Sequence, residues 1–150
     1  MFLLLYLAIV TFAFDKKWLR PMGDVEWSTF SQATEKAQRR KLPILGFFSG
    51  LECAQCSSYF EMFNYHPTFK QIAKRFVLAA LDETDPSYNM SPLDQEGYSP
   101  KFVFFDSHGK ILDFSGYDDP LHKYFCTNIE FLLEKMGDVD DYAFDHKDEL

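Results

Sequence analysis

Two uninterrupted apolar runs of strand length mark the first half of the chain. Residues 44–48 read ILGFF, and residues 76–81 read FVLAAL. Apolar runs of this length without polar alternation are typical of strands that are covered on both faces of a parallel sheet. Residues 57–64 and 69–75, which lie between the runs, place apolar side chains at helical spacing on either side of Pro67. The order strand, helix, strand therefore predicts a βαβ unit with two parallel strands.

Weaker patterns predict the elements on either side of this unit. Apolar residues at helical spacing predict a first helix, capped by Ser28 or Ser31 and ended at Lys41, and a closing helix near the C-terminus. Two apolar runs around Gly109 predict a β-hairpin. The predicted bounds are 27–40 and 121–136 for the helices, and 101–105 and 111–114 for the hairpin strands. Residues 82–99 hold Pro and Gly together with five acids, which predicts a long irregular loop.

The size and charge of the chain favour one compact, acidic domain. Its 150 residues are 47% hydrophobic, which is enough to bury a core without disulfide staples. The 23 acidic side chains outnumber the 15 lysines and arginines, so the formal net charge is -8. Because no basic stripe interrupts this charge, the composition argues against nucleic acid and against an anionic membrane surface as partners.

Both ends of the chain carry targeting patterns. Residues 1–14 are uncharged and apolar but shorter than the roughly 20 residues that span a bilayer, so they predict a signal peptide cleaved near residues 13 and 14. A buried N-terminal strand or helix is the alternative. The last four residues, Lys147, Asp148, Glu149 and Leu150, match the retrieval signal read by a receptor of the secretory pathway. Together the patterns predict a protein of the endoplasmic reticulum lumen, without a membrane span after cleavage.

Cys53 and Cys56, in the sequence C-A-Q-C, are the candidate reactive residues. Two thiols with this spacing can close or open a small disulfide ring, and they follow the first buried strand where a helix is predicted to begin. A zinc site needs about four ligands, but the remaining candidates, one cysteine and four histidines, are scattered along the chain. A permanently oxidised structural pair is the second alternative. The third cysteine, Cys126, lies among apolar residues and is expected to be a buried, unreactive thiol.

The order of the predicted elements, with Tyr98-Ser99-Pro100 leading into the hairpin, resembles the thioredoxin fold. This resemblance implies an α/β domain with a central mixed β-sheet flanked by helices. It divides the chain into a signal peptide (1–14), an N-terminal lead (15–24), a thioredoxin-like domain (25–137) and an acidic tail that ends in the retrieval signal (138–150). More narrowly, the leader, the single domain and the C-terminal K-D-E-L resemble single-domain endoplasmic reticulum proteins of the protein disulfide isomerase superfamily, such as the anterior-gradient family and its two-cysteine relatives.

The resemblance implies a role for each residue of the site. Cys53 is the expected nucleophile and Cys56 the resolving cysteine, while Tyr98, Ser99 and Pro100 are the expected substrate-binding residues, with Pro100 a cis-proline beside the disulfide. The predicted position of Cys53 at a helix start agrees with its role as nucleophile, because unpaired N–H groups and the positive dipole there favour a thiolate. The cysteine one turn further on is expected to be more shielded.

Three departures from the family pattern predict a slow, moderately reducing site. Glu52 places a carboxylate next to Cys53, which is expected to raise the pKa of the Cys53 thiol. No Lys, Arg or His occurs from Leu42 to Tyr65, so no cation of that stretch stabilises the thiolate. Phe47 stands where many relatives carry a buried acid that helps to move the proton of the resolving step.

The expected function is that of a thiol-disulfide oxidoreductase that reduces, forms or isomerises disulfides of secretory-pathway client proteins. Glutathione or another oxidoreductase is expected to reset the cysteine pair, and the retrieval receptor is the remaining expected partner. No resident cofactor or metal is expected. The alternative is a binding module, in which a degenerate site holds clients as mixed disulfides without turnover.

Overall fold

The computed structural model describes residues 25–50, 53–117 and 119–149. Four strands, four α-helices and one short 3₁₀ helix make up this part of the chain. In chain order they are β1 (Trp27–Ser28), α1 (Phe30–Arg40), β2 (Ile44–Phe48), α2 (Cys56–Tyr65), α3 (Pro67–Ala73), β3 (Val77–Leu81), the 3₁₀ helix (Leu93–Gln95), β4 (Lys101–Phe105) and α4 (Ile129–Asp145). The predicted signal peptide and lead, Glu52 and Leu150 lie outside the described residues.

The four strands form one mixed sheet in the order β1-β3-β2-β4. Strand β2 runs parallel to β3, with Ile44 opposite Val77, and antiparallel to β4, with Ile44 opposite Phe105. Every residue of β2, β3 and β4 is buried, as expected for strands covered on both faces. The predicted βαβ unit and the predicted α/β fold with a thioredoxin-like mixed sheet are therefore confirmed.

Two hydrophobic cores lie on opposite faces of the sheet. One core joins the sheet to α2, α3 and α4 and is rich in aromatic side chains from β2, α2 and β4. The other joins it to α1 and to the loop between β3 and β4, through Ala33, Ala37, Tyr88 and Leu93. No helix in the described part of the chain is long and apolar enough to cross a membrane.

The first helix begins later than the sequence pattern predicts. Helix α1 starts at Phe30, and its cap is Thr29 rather than Ser28 or Ser31. The Thr29 hydroxyl accepts the Gln32 N–H at 3.1 Å, and the Gln32 side chain accepts the Thr29 N–H at 3.3 Å, which makes a reciprocal capping box. Trp27 and Ser28 pair with β3 instead. The predicted end of the helix at Lys41 is confirmed, since Lys41 adopts the left-handed conformation.

The predicted hairpin is only partly formed. Strand β4 is present, but its partner segment makes a single antiparallel bridge, between Phe105 and Ile111. The N–H of Leu112 still donates to the Phe104 carbonyl at 2.9 Å. Further along this edge of the sheet, the N–H of Phe102 donates to a residue outside the hairpin, the Tyr124 carbonyl, at 2.8 Å. Two separate segments therefore form the hydrogen bonds at this edge of β4: the one that contains Ile111 and Leu112, and the one that contains Tyr124.

The closing helix is displaced along the chain relative to the prediction of 121–136. Helix α4 begins at Ile129, where the Asn128 side chain caps the N–H groups of Glu130 and Phe131, and it ends at Asp145. Val139 is 0% exposed and Ala143 is also buried, because their face of the helix packs against the domain. Residues 138–145, which the sequence pattern assigns to the acidic tail, therefore form the last part of α4.

Candidate functional site

The two cysteines of the C-A-Q-C sequence form a disulfide at the start of α2. Strand β2 ends at Phe48, and Cys56 is the first residue of α2. Cys53 precedes the helix in a turn, in which the Cys56 N–H donates to the Cys53 carbonyl at 3.2 Å. Their Cα atoms are 5.4 Å apart. The prediction that the cysteines lie where a helix begins is confirmed.

The two cysteines differ in their burial. Cys56 is 4% exposed and belongs to the aromatic core with Tyr59, Phe60 and Phe102. Cys53 is only partly buried and packs against the outside of that core. This difference makes Cys53 the more accessible member of the pair and Cys56 the shielded one.

The segment before β4 lies against the chain that leads into the disulfide. The peptide bond between Ser99 and Pro100 is cis, as the resemblance implies, and Pro100 is buried. A Cβ atom added to Gly50 would lie 2.5 Å from the Ser99 Oγ and 3.3 Å from its Cβ. Gly50 is three residues before Cys53, so the cis-proline segment and the approach to the disulfide are in direct contact.

Tyr98 anchors this segment rather than pointing freely into solvent. Its hydroxyl oxygen accepts the N–H of Tyr124 at 2.9 Å, and its ring contacts the ring of His122 edge-on at 4.7 Å between centroids. Burial raises the pKa of Tyr98 to about 12. His122 in turn pairs with Asp119 at 2.9 Å. The hydroxyl of Tyr98 thus holds the segment before the cis-proline against the segment that borders β4.

An aromatic cluster lies beneath Cys56. Phe47 is fully buried at its centre, with ring centroids 5.3 Å from Phe60 and 5.2 Å from Phe102. The Tyr59 hydroxyl donates to the Cys126 carbonyl and lies 3.6 Å from the Cys126 Sγ. Cys126 is 0% exposed, which confirms the expectation of a buried thiol.

A family model described as thioredoxin-like matches residues 26–107, more than half of the chain. The chain belongs to the thioredoxin-like family.

Three solved structures illustrate the similarity of this thioredoxin-like chain to known proteins. A thioredoxin from Thermus thermophilus is 21% identical with a TM-score of 0.46, over 53% of this chain and 63% of that one. A DsbH oxidoreductase is 24% identical with a TM-score of 0.47, over 59% and 69% of the two chains. A disulphide isomerase from Xylella fastidiosa is 18% identical with a TM-score of 0.44, over 79% and 86%. The chain thus covers less than two thirds of the length of the Thermus protein.

Three residues around the thioredoxin-like site are not found by the sequence patterns. Gly50 allows the close approach of Ser99, and Glu83 places a carboxylate oxygen 3.5 Å from the same Gly50 Cβ position. Lys101 is 3% exposed, and its Nζ lies 5.5 Å and 5.3 Å from the ring centroids of Tyr88 and Tyr98. Burial lowers the pKa of Lys101. The available signal for Lys101 is a charged residue that opens an otherwise apolar strand; Gly50 and Glu83 have no comparable local signal.

The remaining predicted residues lie away from the disulfide. Lys147, Asp148 and Glu149 are exposed in a turn that follows α4, in which the Glu149 N–H donates to the His146 carbonyl at 2.8 Å. Leu150, the last residue of the predicted retrieval signal, lies outside the described residues. Among the residues that the structure describes, no three His, Cys, Asp or Glu side chains lie together as a metal site would require.

Proposed function

We propose that this protein is a thiol-disulfide oxidoreductase of the endoplasmic reticulum, a member of the thioredoxin-like family similar to the anterior-gradient proteins and their two-cysteine relatives. The observation that carries the proposal is the asymmetric disulfide, with a partly exposed Cys53 and a nearly buried Cys56 at the start of α2. A structural disulfide has no need of one accessible sulfur, whereas an exchange site does.

In the reducing direction, the Cys53 thiolate attacks one sulfur of a client disulfide. A Cys53–client mixed disulfide forms, and the other client sulfur leaves as a thiolate that takes up a proton. Cys56 then loses its proton and attacks the Cys53 sulfur, which closes the Cys53–Cys56 disulfide and releases the second client sulfur as a thiol. The client gains two electrons and the cysteine pair loses two. Run backwards, the same steps oxidise a client, and a mixed disulfide resolved by a client thiol isomerises one.

Tyr98, Ser99 and Pro100 are proposed to receive the client beside the disulfide. The cis-proline segment borders the approach to Cys53 through the contact between Ser99 and Gly50. An extended client segment can pair with backbone groups exposed at such an edge, which holds its disulfide near the attacking sulfur. Since the Tyr98 hydroxyl is engaged with Tyr124, Tyr98 is proposed to contact the client through its backbone.

The pair is proposed to be slow and moderately reducing. Glu52 is covalently adjacent to Cys53, and its carboxylate opposes a negative charge on that sulfur. Phe47, which stands where many relatives carry a buried acid, has no group that accepts a proton, so water is the proposed acceptor in the resolving step. This part of the proposal would be contradicted by a measured Cys53 pKa of about 3.5, which is typical of strongly oxidising thiols.

Reduction of insulin with glutathione as the electron source tests the activity. The wild-type protein is expected to turn over, and the Cys53→Ser/Cys56→Ser double variant is expected to show only the background rate. The Cys56→Ala variant should accumulate mixed disulfides that vanish when Cys53 is also replaced. Turnover no faster than that of the double variant would refute the proposal that the protein is an enzyme. If mixed disulfides still formed in that case, the client-retaining alternative would hold instead.

The proposed location rests on the two terminal patterns, residues 1–14 and 147–150. Its partners there are secretory-pathway clients, glutathione or another oxidoreductase, and the retrieval receptor. Expression of the full chain in secreting cells tests the location, because deletion of residues 147–150 should move the protein from the reticulum to the medium. Equal retention of both forms would refute the retrieval role.

A further inference from the structure

Glu83 lies where the strands that build the site end together. Strands β2 and β3 are parallel, so their carboxyl ends share one edge of the sheet, and Phe48 is opposite Leu81 in the last register position. The Ser49 N–H still donates to the Leu81 carbonyl at 2.9 Å beyond the last pair. The next residues of both strands, Ser49-Gly50 and Asp82-Glu83, therefore leave the sheet side by side.

The Glu83 carboxylate meets the cis-proline segment at Gly50. One Glu83 oxygen is 3.5 Å from the Cβ position of Gly50, and the Ser99 Oγ is 2.5 Å from the same point. Gly50 is three positions before Cys53, so their Cα atoms are at most about 11 Å apart. This upper limit exceeds the Debye length of about 8 Å at physiological salt, so salt weakens but does not abolish the effect of the exposed Glu83 charge on a client bound at Cys53.

The segments around this point carry only negative charge. Residues 42–65 and 82–100 contain no Lys, Arg or His; their acids are Glu52, Glu61, Asp82, Glu83, Asp85, Asp94 and Glu96. The next cation along the chain, Lys101, is buried between two tyrosine rings. His122 and Lys123 lie beyond Tyr98, but they pair with Asp119 and Asp113, respectively. In the part of the chain that the structure describes, the segments that flank the site therefore add negative charge.

We propose that Glu83 is a specificity-determining residue that makes this site prefer client segments with cationic side chains next to the disulfide. The inference rests on the proposed function, because the disulfide and the cis-proline segment form the binding site and Glu83 adds its charge. Anionic small disulfides, including oxidised glutathione, are then poorer partners than a cationic peptide of equal intrinsic reactivity. An exposed charge pair is worth little, so the preference due to Glu83 alone is about twofold to fivefold.

Formation of the first mixed disulfide is the suitable readout, because it does not require turnover. Reduced Cys56→Ala protein is mixed with a symmetric peptide disulfide, so that Cys53 forms one bond to a peptide sulfur and one peptide thiol is released. Two peptides are compared, identical except for lysine or glutamate on each side of the cysteine. Their rates are divided by their rates with a small neutral thiol, which removes the effect of the flanking charge on leaving-group reactivity.

Charge removal at Glu83 is compared with the same change at a remote exposed acid, Glu134 on α4. We expect the normalised rate to be higher for the lysine peptide, and Glu83→Gln to reduce the ratio of the two rates by about twofold to fivefold. Glu134→Gln should leave the ratio unchanged, and about 1 M salt, where the Debye length is about 3 Å, should remove the preference. The ratio is insensitive to any change in Cys53 reactivity that Glu83→Gln causes for both peptides.

Each other outcome has a definite meaning. Equal normalised rates for the two peptides, or a ratio that Glu83→Gln leaves intact, would overturn the charge preference and leave the oxidoreductase proposal standing. Equal effects of the Glu83 and Glu134 substitutions would overturn the local role of Glu83. Absence of any mixed disulfide at Cys53 with either peptide would overturn both proposals.

Discussion

Alanine at Gly50 tests whether the approach to the disulfide and the cis-proline segment are packed as the structure shows. A methyl group there would lie 2.5 Å from the Ser99 Oγ and 3.3 Å from the Ser99 Cβ. Rotation of the Ser99 side chain can relieve the first contact, but the Cβ cannot move unless the backbone shifts by a few tenths of an ångström. Overpacking of this kind typically costs about 1–3 kcal/mol, and we expect Gly50→Ala to lower the free energy of unfolding by that amount.

Substitutions at Ser99 separate this contact from general effects of replacing a glycine. In double-mutant cycles measured by denaturant unfolding, Ser99→Ala should recover part of the Gly50→Ala loss, because it removes the hydroxyl but keeps the Cβ. Ser99→Gly should recover more, because it removes both atoms. Gly97→Ala is the matched control, in the loop that contains Ser99, since nothing lies within 4 Å of its Cβ position. We expect that control to be neutral or to stabilise by up to about 1 kcal/mol.

The same variants connect packing to chemistry. If the cis-proline segment must move aside in Gly50→Ala, the rate of mixed-disulfide formation at Cys53 should fall and should recover with Ser99→Gly. The reasoning would be refuted if Gly50→Ala were as stable as the wild type. It would also be refuted if neither Ser99 substitution showed coupling to Gly50.

Three further predictions concern the core and the tyrosines. Phe47→Ala should lower the free energy of unfolding by about 3–5 kcal/mol, because Phe47 is 0% exposed. The control Phe144→Ala, at a side chain that is 73% exposed, should change it by no more than about 0.5 kcal/mol. Equal losses of the two variants in urea unfolding would contradict this packing. Tyr59→Phe should cost about 0.5–1.5 kcal/mol in the same assay, because it removes the hydroxyl that donates to a buried carbonyl. Burial raises the pKa of Tyr98 to about 12 and that of Tyr117 well above 10, so the unfolded chain loses these protons at lower pH than the folded chain does. The free energy of unfolding should therefore fall as the pH rises above about 10, and the contribution of Tyr98 should be lost by about pH 12. A denaturation midpoint that stays constant from pH 9 to 12 would contradict this prediction.

The centre of the fold is readable from local sequence because its signals are long and apolar. The runs at 44–48 and 76–81 are uninterrupted and apolar, so each run predicts a strand of a parallel sheet that is buried on both faces. This prediction needs no information about other parts of the chain, and the structure agrees with it. The helix ends are less accessible to such reasoning. Trp27 and Ser28 fit the helical period of α1, but hydrogen bonds to β3 place them in the sheet, and the capping box at Thr29 sets the start.

The second half of the chain shows the same limit more strongly. Residues 121–128 continue the apolar spacing of α4, yet they run as a loop in which Tyr124 bonds to β4 and to Tyr98. Beyond residue 136, the high density of acids hides the spacing of Val139 and Ala143, which continues the buried face of α4 to Asp145. Tertiary packing therefore overrides the periodic pattern at one end of the helix and extends it at the other.

By itself, the sequence determined the βαβ unit, the position of Cys53 and Cys56 at a helix start and the acidity of the surrounding segments, because each of these is a property of residues close together in the chain. Only the tertiary structure decided which cysteine is shielded and that Gly50, Glu83 and Ser99 meet beside the disulfide. These three residues are far apart in sequence, and the parallel pairing of β2 with β3 and the antiparallel pairing of β2 with β4 bring them together. Strand pairing depends on the whole sheet, so no local pattern contains it.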